Sequence, residues 1–476
     1  MKDCVKAYLE KMGYTVNEDA LGIVNMCDNW YSNRIIEDFH KRKNLNGVEY
    51  ELNRMNFAKR CCADDANLCE IVSVVPEKES KAKEFIETLL GKNRFDIRYR
   101  EQLEKVSATG TAGAYIYLQN AQYLKDKGGI ITVRGGNIRI NYVDADCIIP
   151  LTVEDRIVTE CAFSATNRVR GKEKTTLVIF TKEPAGEVEL YKAETVCFDE
   201  KGKQIEEECS IIQLGEVKPF AILMNAEVNN LDNMEGYGLP KVYNSIPMFK
   251  AVDLCHNLLH GDLSKGDKLV FLNELLACIK EDKDGKPYLT PQQKEIFILL
   301  GQDGGKLPDE KTLVHEYNPK IRVEEITKAF ELVLSILSMT FGYGSKKYTF
   351  ENGKITTATE YIGTKQDSMQ ELNKQRKQAS TYIEDIVHAG MWFSNQFSGT
   401  TYDVGEELLI EYDDSYITDR EAELERKRND ALSFDIPQLT IWYLMDAYNI
   451  SEEEAKAMVM QKKDEEDRDT GGEEVD

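Results

Sequence analysis

Read for chemistry, the sequence offers glycine-rich loops, a histidine pair, clustered cysteines and a carboxylate pair. Gly301-Gln302-Asp303-Gly304-Gly305-Lys306 has the glycines and lysine of a phosphate-cradling loop. Such a loop needs four residues between its glycines and a Ser or Thr after the lysine. Here the spacing is one residue short and Leu307 replaces the hydroxyl, so a surface turn is the better reading. His256 and His260, four apart, could share a metal ion on one helical face. The metalloprotease pattern requires glutamate after the first histidine, and that position is Asn257. Cys61-Cys62 with Cys69 lacks a second pair for zinc and reads as buried thiols. Asp413-Asp414 has no His or Cys nearby and reads as a cap or turn. Gly342-Tyr343-Gly344-Ser345 follows no strand, which makes it a helix stop and not a nucleotide loop. None of the five histidines joins a nucleophile and a carboxylate in a defensible set, so the expectation is a chain that is not an enzyme and holds no cofactor or metal.

One stretch gathers polar, cationic and aromatic side chains on a loop between two helices. It runs Ser345-Lys346-Lys347-Tyr348-Thr349-Phe350-Glu351-Asn352-Gly353-Lys354, with Asn-Gly as turn chemistry. It holds three lysines, Lys346, Lys347 and Lys354, and Tyr348 and Phe350 alternate with polar neighbours. Taken alone, the lysines would solvate an exposed turn that Gly353 lets bend.

Two helices must position that loop. The first, Arg322 to about Phe341, carries Val323, Ile326, Phe330, Val333, Ile336 and Leu337 at three-and-four spacing, read as one apolar face. The second begins with the capping box Thr357-Ala358-Thr359-Glu360 and runs to about Asn395. Ala358, Ile362, Met369, Leu372, Ala379, Ile383 and Ile386 form a narrow stripe on it. So narrow a stripe on so long a helix points to packing against other long helices, including those of other copies.

Before the hairpin, helical segments are expected to about residue 43, over Leu52–Ile71, Phe85–Leu90 (closed by Gly91) and Phe95–Val106. Small residues from Ala108 to Ala114 lead into β-branched and aromatic runs, which predict a mostly antiparallel β region of about a hundred residues. Gly236-Tyr237-Gly238-Leu239-Pro240 opens a helix reaching about Leu263. After the hairpin come Leu408–Tyr412, then helices over Thr418–Ser433, Ile436–Tyr448 and Ser451–Lys462, and an acidic tail expected to be disordered. The fold class is therefore α+β. The net charge of −24 excludes a general clamp on nucleic acid or on an anionic membrane, though not a wall past which DNA slides. No apolar run reaches the length of a membrane span, and the eleven scattered cysteines read as reduced thiols, so a soluble intracellular chain is expected.

This order of parts resembles the portal protein family of long-tailed double-stranded DNA bacteriophages. The likeness rests on Gly110–Tyr115 leading to Asp144–Leu151, on Asn229-Asn230 before Gly236-Tyr237-Gly238 and a helix with Asp253, and on Phe341-Gly342 through Thr357–Glu360. The resemblance implies a portal fold: wing (1–238), stem helix (239–263), clip (264–321), second stem helix (322–341), tunnel loop (342–356), long kinked helix (357–395), wing return (396–415), helical crown (416–463) and tail (464–476). It implies a ring, normally of twelve copies, at one capsid vertex of the virion, assembled in the host cytoplasm. Double-stranded DNA would pass through its channel. Terminase, major capsid and scaffold proteins and head-completion adaptors would be its partners, with no membrane. Lys346, Lys347, Tyr348, Phe350, Asn352 and Lys354 would face the channel, the lysines as weak phosphate contacts and Tyr348 and Phe350 as a collar between adjacent loops, and Ile336, Met369 and Leu372 would pack between subunits. Lys280, Lys283 and Lys286 would face terminase or the connector from the clip. The rival reading is an acidic helical structural or adaptor oligomer without DNA passage; a nucleic-acid-processing enzyme is a second.

Overall fold

The structure, a computed structural model, describes residues 2–44, 46–125, 131–169, 171–186, 188–206, 209–266, 269–273, 297–300, 314–318, 320–344, 347–348, 358–413, 420–434, 436–448, 450–452 and 454–460. The chain divides into two compact units, Met1–Cys69 with Val74–Leu409, and Glu70–Ser73 with Ile410–Asp476. The fold is a mixture of helices and mostly antiparallel sheets, as the alternation of residue periods requires.

In the first unit the chain opens with helices α1 (Asp3–Lys11) and α2 (Glu18–Tyr31). Asn17 caps α2 by accepting the Ala20 amide at 3.0 Å. The helix expected to continue to Lys43 stops instead at Tyr31. A single turn, α3 (Glu37–His40), follows, and then Lys41–Lys43 (β1) pairs antiparallel with Glu49–Glu51 (β2). The buried His40 anchors this corner. Its Nδ1 accepts the Ile36 amide at 2.9 Å, so Nε2 carries the proton and donates to Asp253 at 3.1 Å. Three elements follow: α4 (Phe57–Ala66), β3 (Ile71–Pro76) and α5 (Ala82–Lys92). The α4 helix is shorter than its apolar pattern predicts, and α5 runs through Gly91 without stopping there.

Helix α6 (Phe95–Thr109) ends at Gly110, whose φ of +83° turns the chain into β4 (Thr111–Gln119). A hairpin, β5 (Gln122–Lys125) with β6 (Ile131–Arg134), precedes β7 (Asn137–Asp144). Strands β8 (Ile148–Glu154), β9 (Ile157–Val169), β10 (Lys172–Ala185), β11 (Val188–Phe198) and β12 (Ser210–Gln213) form a five-stranded antiparallel meander in the order 12-11-10-9-8. Strand β13 (Phe220–Met224) joins β4 and β7 in a three-stranded sheet, order 13-4-7. Alternation along β10 decides what each face meets. Leu177 and Ile179 turn to α1 and α2, packing with Val5, Leu9, Ala20 and Val24. Phe180 turns the other way and meets Phe220 at 5.6 Å and Tyr115 at 5.6 Å, which joins the two sheets.

The small residues of the helix-to-strand junction are required by backbone contact. A Cβ on Gly110 would lie 2.2 Å from the Gly238 carbonyl oxygen, and one on Gly238 would lie 2.3 Å from that of Gly110. Neither carbonyl can move without breaking β4 or the segment before the next helix. Gly110→Ala should therefore cost at least ~3 kcal/mol, combining overpacking with a left-handed backbone that alanine disfavours. A thermal melt within a degree of the parent would contradict that close approach.

Helix α7 (Lys241–Lys265) starts after Pro240 and continues through Pro247. Strands β14 (Leu269–Asn273), β15 (Phe297–Leu300) and β16 (Val314–Tyr317) form a small sheet in which β14 runs parallel to β15 and antiparallel to β16. Helix α8 (Val323–Thr340) then returns antiparallel along α7. Arg322 clamps Asp262 at 2.8 and 3.0 Å at one end of the pair, and Phe249 meets Phe341 at 6.2 Å near the other. Helix α9 (Ala358–Ser398) has 41 residues, roughly 60 Å at helical rise, and leads to β17 (Leu408–Tyr412).

The second unit has helices α10 (Arg420–Phe434) and α11 (Pro437–Tyr448), joined by a Lys427–Asp446 ion pair. Ser451 and Glu454 form a reciprocal capping box at the start of the last described turns. Within this unit Glu70–Ser73 lies beside Ile410–Asp413, the Ser73 hydroxyl donating to Glu411 at 2.8 Å.

Candidate functional site

The loop between α8 and α9 is rooted in a buried ionic joint. Gly342, at φ +79°, ends α8, and the chain folds back so that the Tyr343 amide donates to Ser338 O at 3.0 Å. Tyr343 and Tyr348 then reach into adjacent carboxylates at the end of α4. The Tyr343 hydroxyl donates to Asp65 at 2.9 Å, and the Tyr348 hydroxyl to Asp64 at 3.1 Å. Ser338 fixes the second arm, its Oγ accepting the Tyr348 amide at 3.0 Å. Phe57 closes over Tyr348 at 5.2 Å.

Lys241, the first residue of α7, completes the joint. Its side chain is 1% exposed and lies 2.9 Å from Asp65 and 3.0 Å from Glu371 of α9. Burial alone would push the ammonium down. Asp65 and then Glu371 outweigh it and hold the group well above the ordinary lysine value. Burial, and after it the Asp65 charge, pushes the Tyr343 phenol far up, so it remains a donor. Glu227, partly buried nearby, is raised by the same loss of solvent. A Cβ on Gly342 would meet Glu371 Cγ at 3.1 Å, so glycine gives the loop its close passage over α9. One ammonium thus ties together α4, α7 and α9, with the loop held through Asp65.

Helix α8 carries two apolar rows, where the sequence reading assigned one. Ile326, Phe330, Leu334 and Leu337 are buried within the chain. Leu332, Ile336 and Met339 continue the three-and-four spacing on another face and are 63%, 40% and 62% exposed. Val323 is exposed as well, so it and Ile336 do not belong to the buried face where they were placed. Met369 on α9 is 41% exposed. Leu372 is 2% exposed and packs inside its own chain, so it offers no surface to another copy. The narrow-stripe expectation for α9 also needs correction. From Ala379 to Ser394 the helix is buried on most sides, with Tyr382 hydrogen-bonded to Gln102 and Leu89 reaching to within 2.4 Å of where a Gly390 Cβ would stand. Its second half is a core helix of this subunit.

Of the loop residues singled out from sequence, Lys347 and Tyr348 are described. Tyr348 is 9% exposed and fastened to its own subunit, so it does not project as a collar between loops. Its hydroxyl and ring find partners in Asp64 and Phe57, which satisfy it better than a solvated tip would. The Lys347 ammonium lies over the Tyr343 ring at 5.5 Å. Lys346, Phe350, Asn352 and Lys354 lie outside the described residues, as do Lys280, Lys283, Lys286, the Thr357 cap and the Gly301–Lys306 loop. Cys61, Cys62 and Cys69 are buried free thiols, with burial pushing Cys69 up to about 12. Among the described residues no group of three or more His, Cys, Asp or Glu could hold a metal ion, and no helix is long and apolar enough to cross a membrane. The sequence reading missed Lys241, Asp65, Glu371 and His40 altogether. It also missed Leu332 and Met339, which share the spacing of Ile336 and were legible in it.

No protein-family model matches the chain, and no curated protein matches it. Among solved structures it is similar to a chain in the neck of a native gene transfer agent (GTA) particle computed with C12 symmetry. The identity is 10% and the TM-score 0.38, covering 86% of this chain and 89% of that one. It is also similar to a chain in the virion of a native GTA particle, at 10% identity and a TM-score of 0.34 over 80% and 85% of the two chains. Likenesses at that level carry no argument about this chain. The class defined by its own fold is an α+β protein with a helical hairpin beside antiparallel sheets.

Proposed function

We propose that this chain is a portal-type subunit, a structural component of a ring through which double-stranded DNA enters and leaves a capsid. The observation that carries the reading is the second apolar row on α8, Leu332–Ile336–Met339, lying in water on a helix already packed on another side. A row of large apolar side chains at coiled-coil spacing calls for a helical partner, and a closed ring of identical copies supplies one to every subunit. The order of parts seen in the sequence supports the same reading. So does the net charge of −24, which suits a channel that passes DNA without gripping it. The loop that leaves the joint at Tyr343 and Tyr348 then lines the channel, and its lysines make weak, salt-screened phosphate contacts. DNA is driven by a separate motor, and this chain hydrolyses no ATP itself.

Viewing the purified particle down its axis tests the proposal: a closed ring with a central hole is expected, and a filament or a monomer would overturn it. Lys346→Ala with Lys347→Ala tests the channel. Ring size should be unchanged and the melting temperature should shift little, since losing the Lys347 ammonium from the Tyr343 ring leaves the hydrogen bonds and ion pairs of the joint in place, while DNA packaged or retained in assembled capsids should fall. Retention equal to the parent across a range of salt would remove the lysines from any role on DNA.

A further inference from the structure

A cavity of about 250 Å³ opens on the face of the five-stranded sheet turned away from α1 and α2. Its floor is two cross-strand rows, Val178–Thr195–Ser210 and Phe180–Ala193–Ile212, set by the register of β10, β11 and β12. Ala193 stands between two large side chains, and its missing bulk gives the cavity depth. Tyr115 and Tyr117 of β4 form one wall, with Asn141 opposite Tyr115 on β7. Phe393 and Phe397, one turn apart on α9 with ring centroids at 5.5 Å, form the other.

The lining holds no charged side chain in a chain that is 30% charged, which excludes ions, phosphates and carboxylates as occupants. Aromatic rings on both walls favour a flat occupant that stacks or meets them edge-on. Asn141, Thr195 and Ser210 provide a few polar groups able to orient one hydrogen-bonding substituent. An apolar cavity of ~150 Å³ holds a benzene-sized molecule, so this one takes a somewhat larger ring system. We propose that this cavity is a binding site for a small, flat, uncharged molecule of one or two fused rings carrying a single hydrogen-bonding group. The occupant would touch both the sheet and the last turns of α9, and so fasten the end of that helix. The inference is independent of the ring reading.

Indole is a suitable probe, titrated calorimetrically into the full chain, with benzoate as its charged counterpart. Saturable indole binding is expected, with a melting temperature that rises as indole is added and affinity for benzoate lower by at least about tenfold. Ala193→Leu fills the floor and should weaken indole about tenfold or more while leaving particle size unchanged. Ser210→Phe, which narrows the cavity from the edge strand, should do the same and serves if the first variant does not fold. Absence of saturable binding, equal affinity for benzoate, or undiminished binding in both variants would overturn the proposal. A change of particle size in either folded variant would also overturn it, by assigning the cavity to a side chain of a neighbouring copy.

Discussion

Replacing Lys241 with methionine should cost roughly 3–5 kcal/mol of folding stability, the largest single loss expected from any side chain of the ionic joint. The substitution keeps apolar volume and removes only the charge, leaving Asp65 and Glu371 without their shared buried cation and Glu371 with only the exposed Lys374 ammonium at 3.4 Å. Glu371 depends on it most, because one of its carboxylate oxygens is buried within ion-pair distance of Lys241 but with no hydrogen-bond partner. The effect should appear as a lower denaturant midpoint. Adding Asp65→Asn and Glu371→Gln to the Lys241→Met background should recover most of the loss, since neither carboxylate that faced the ammonium then carries a charge. The pH dependence follows from the raised lysine. Its contribution is fully present below the unfolded lysine value of ~10.4 and is lost as pH rises through the higher folded value. The gap between parent and variant should therefore hold steady through neutral pH and close only in strong alkali. A methionine variant as stable as the parent, or no recovery in the triple variant, would show that the joint is screened by solvent.

What the sequence made legible was local. Helices α8 and α9 lie within a few residues of their expected limits, because glycine at 342 and an unbroken polar-apolar alternation are signals within one or two turns. The β meander was readable for the same reason: its runs alternate, and Gly171, Gly186 and Gly202 mark its turns except the one between β8 and β9, which is Asp155-Arg156. The charged β1–β2 hairpin carries no alternation, and all six of its residues are exposed, so no periodicity revealed it. The two rows of α8 were merged because Ile336 and Leu337 are neighbours in sequence but about 100° apart around the helix. The joint was invisible for a different reason. Lys241 and Asp65 are 176 residues apart, and a lysine at a helix start ordinarily lies in water. Nothing local marks it as buried; only the convergence of α4, α7 and α9 does. His40 and Asp253, 213 residues apart, were hidden in the same way.

The separation of the α8 rows makes the assembly prediction sharper than the sequence could. A charge at Ile336 and a charge at Leu337 are nearly the same change on paper, yet they should fail differently. Leu337 is 0% exposed, so Leu337→Asp buries an unpaired carboxylate and should prevent folding of the hairpin. Ile336→Asp places its charge where the single chain meets water, so the monomer should keep its helical content and its melting temperature. The cost should be felt at assembly, where the same carboxylate is desolvated between copies. About 3–5 kcal/mol per contact is roughly a hundredfold to several-thousandfold in association. Leu332→Glu and Met339→Glu, on the same exposed row, should reproduce that behaviour, with Leu372→Asp following the buried pattern. Analytical ultracentrifugation reports assembly and circular dichroism reports fold, so the two failures separate in one set of samples. If Ile336→Asp, Leu332→Glu and Met339→Glu all sediment as full-size particles, the exposed row is not the contact between copies, and the ring must be built from another face.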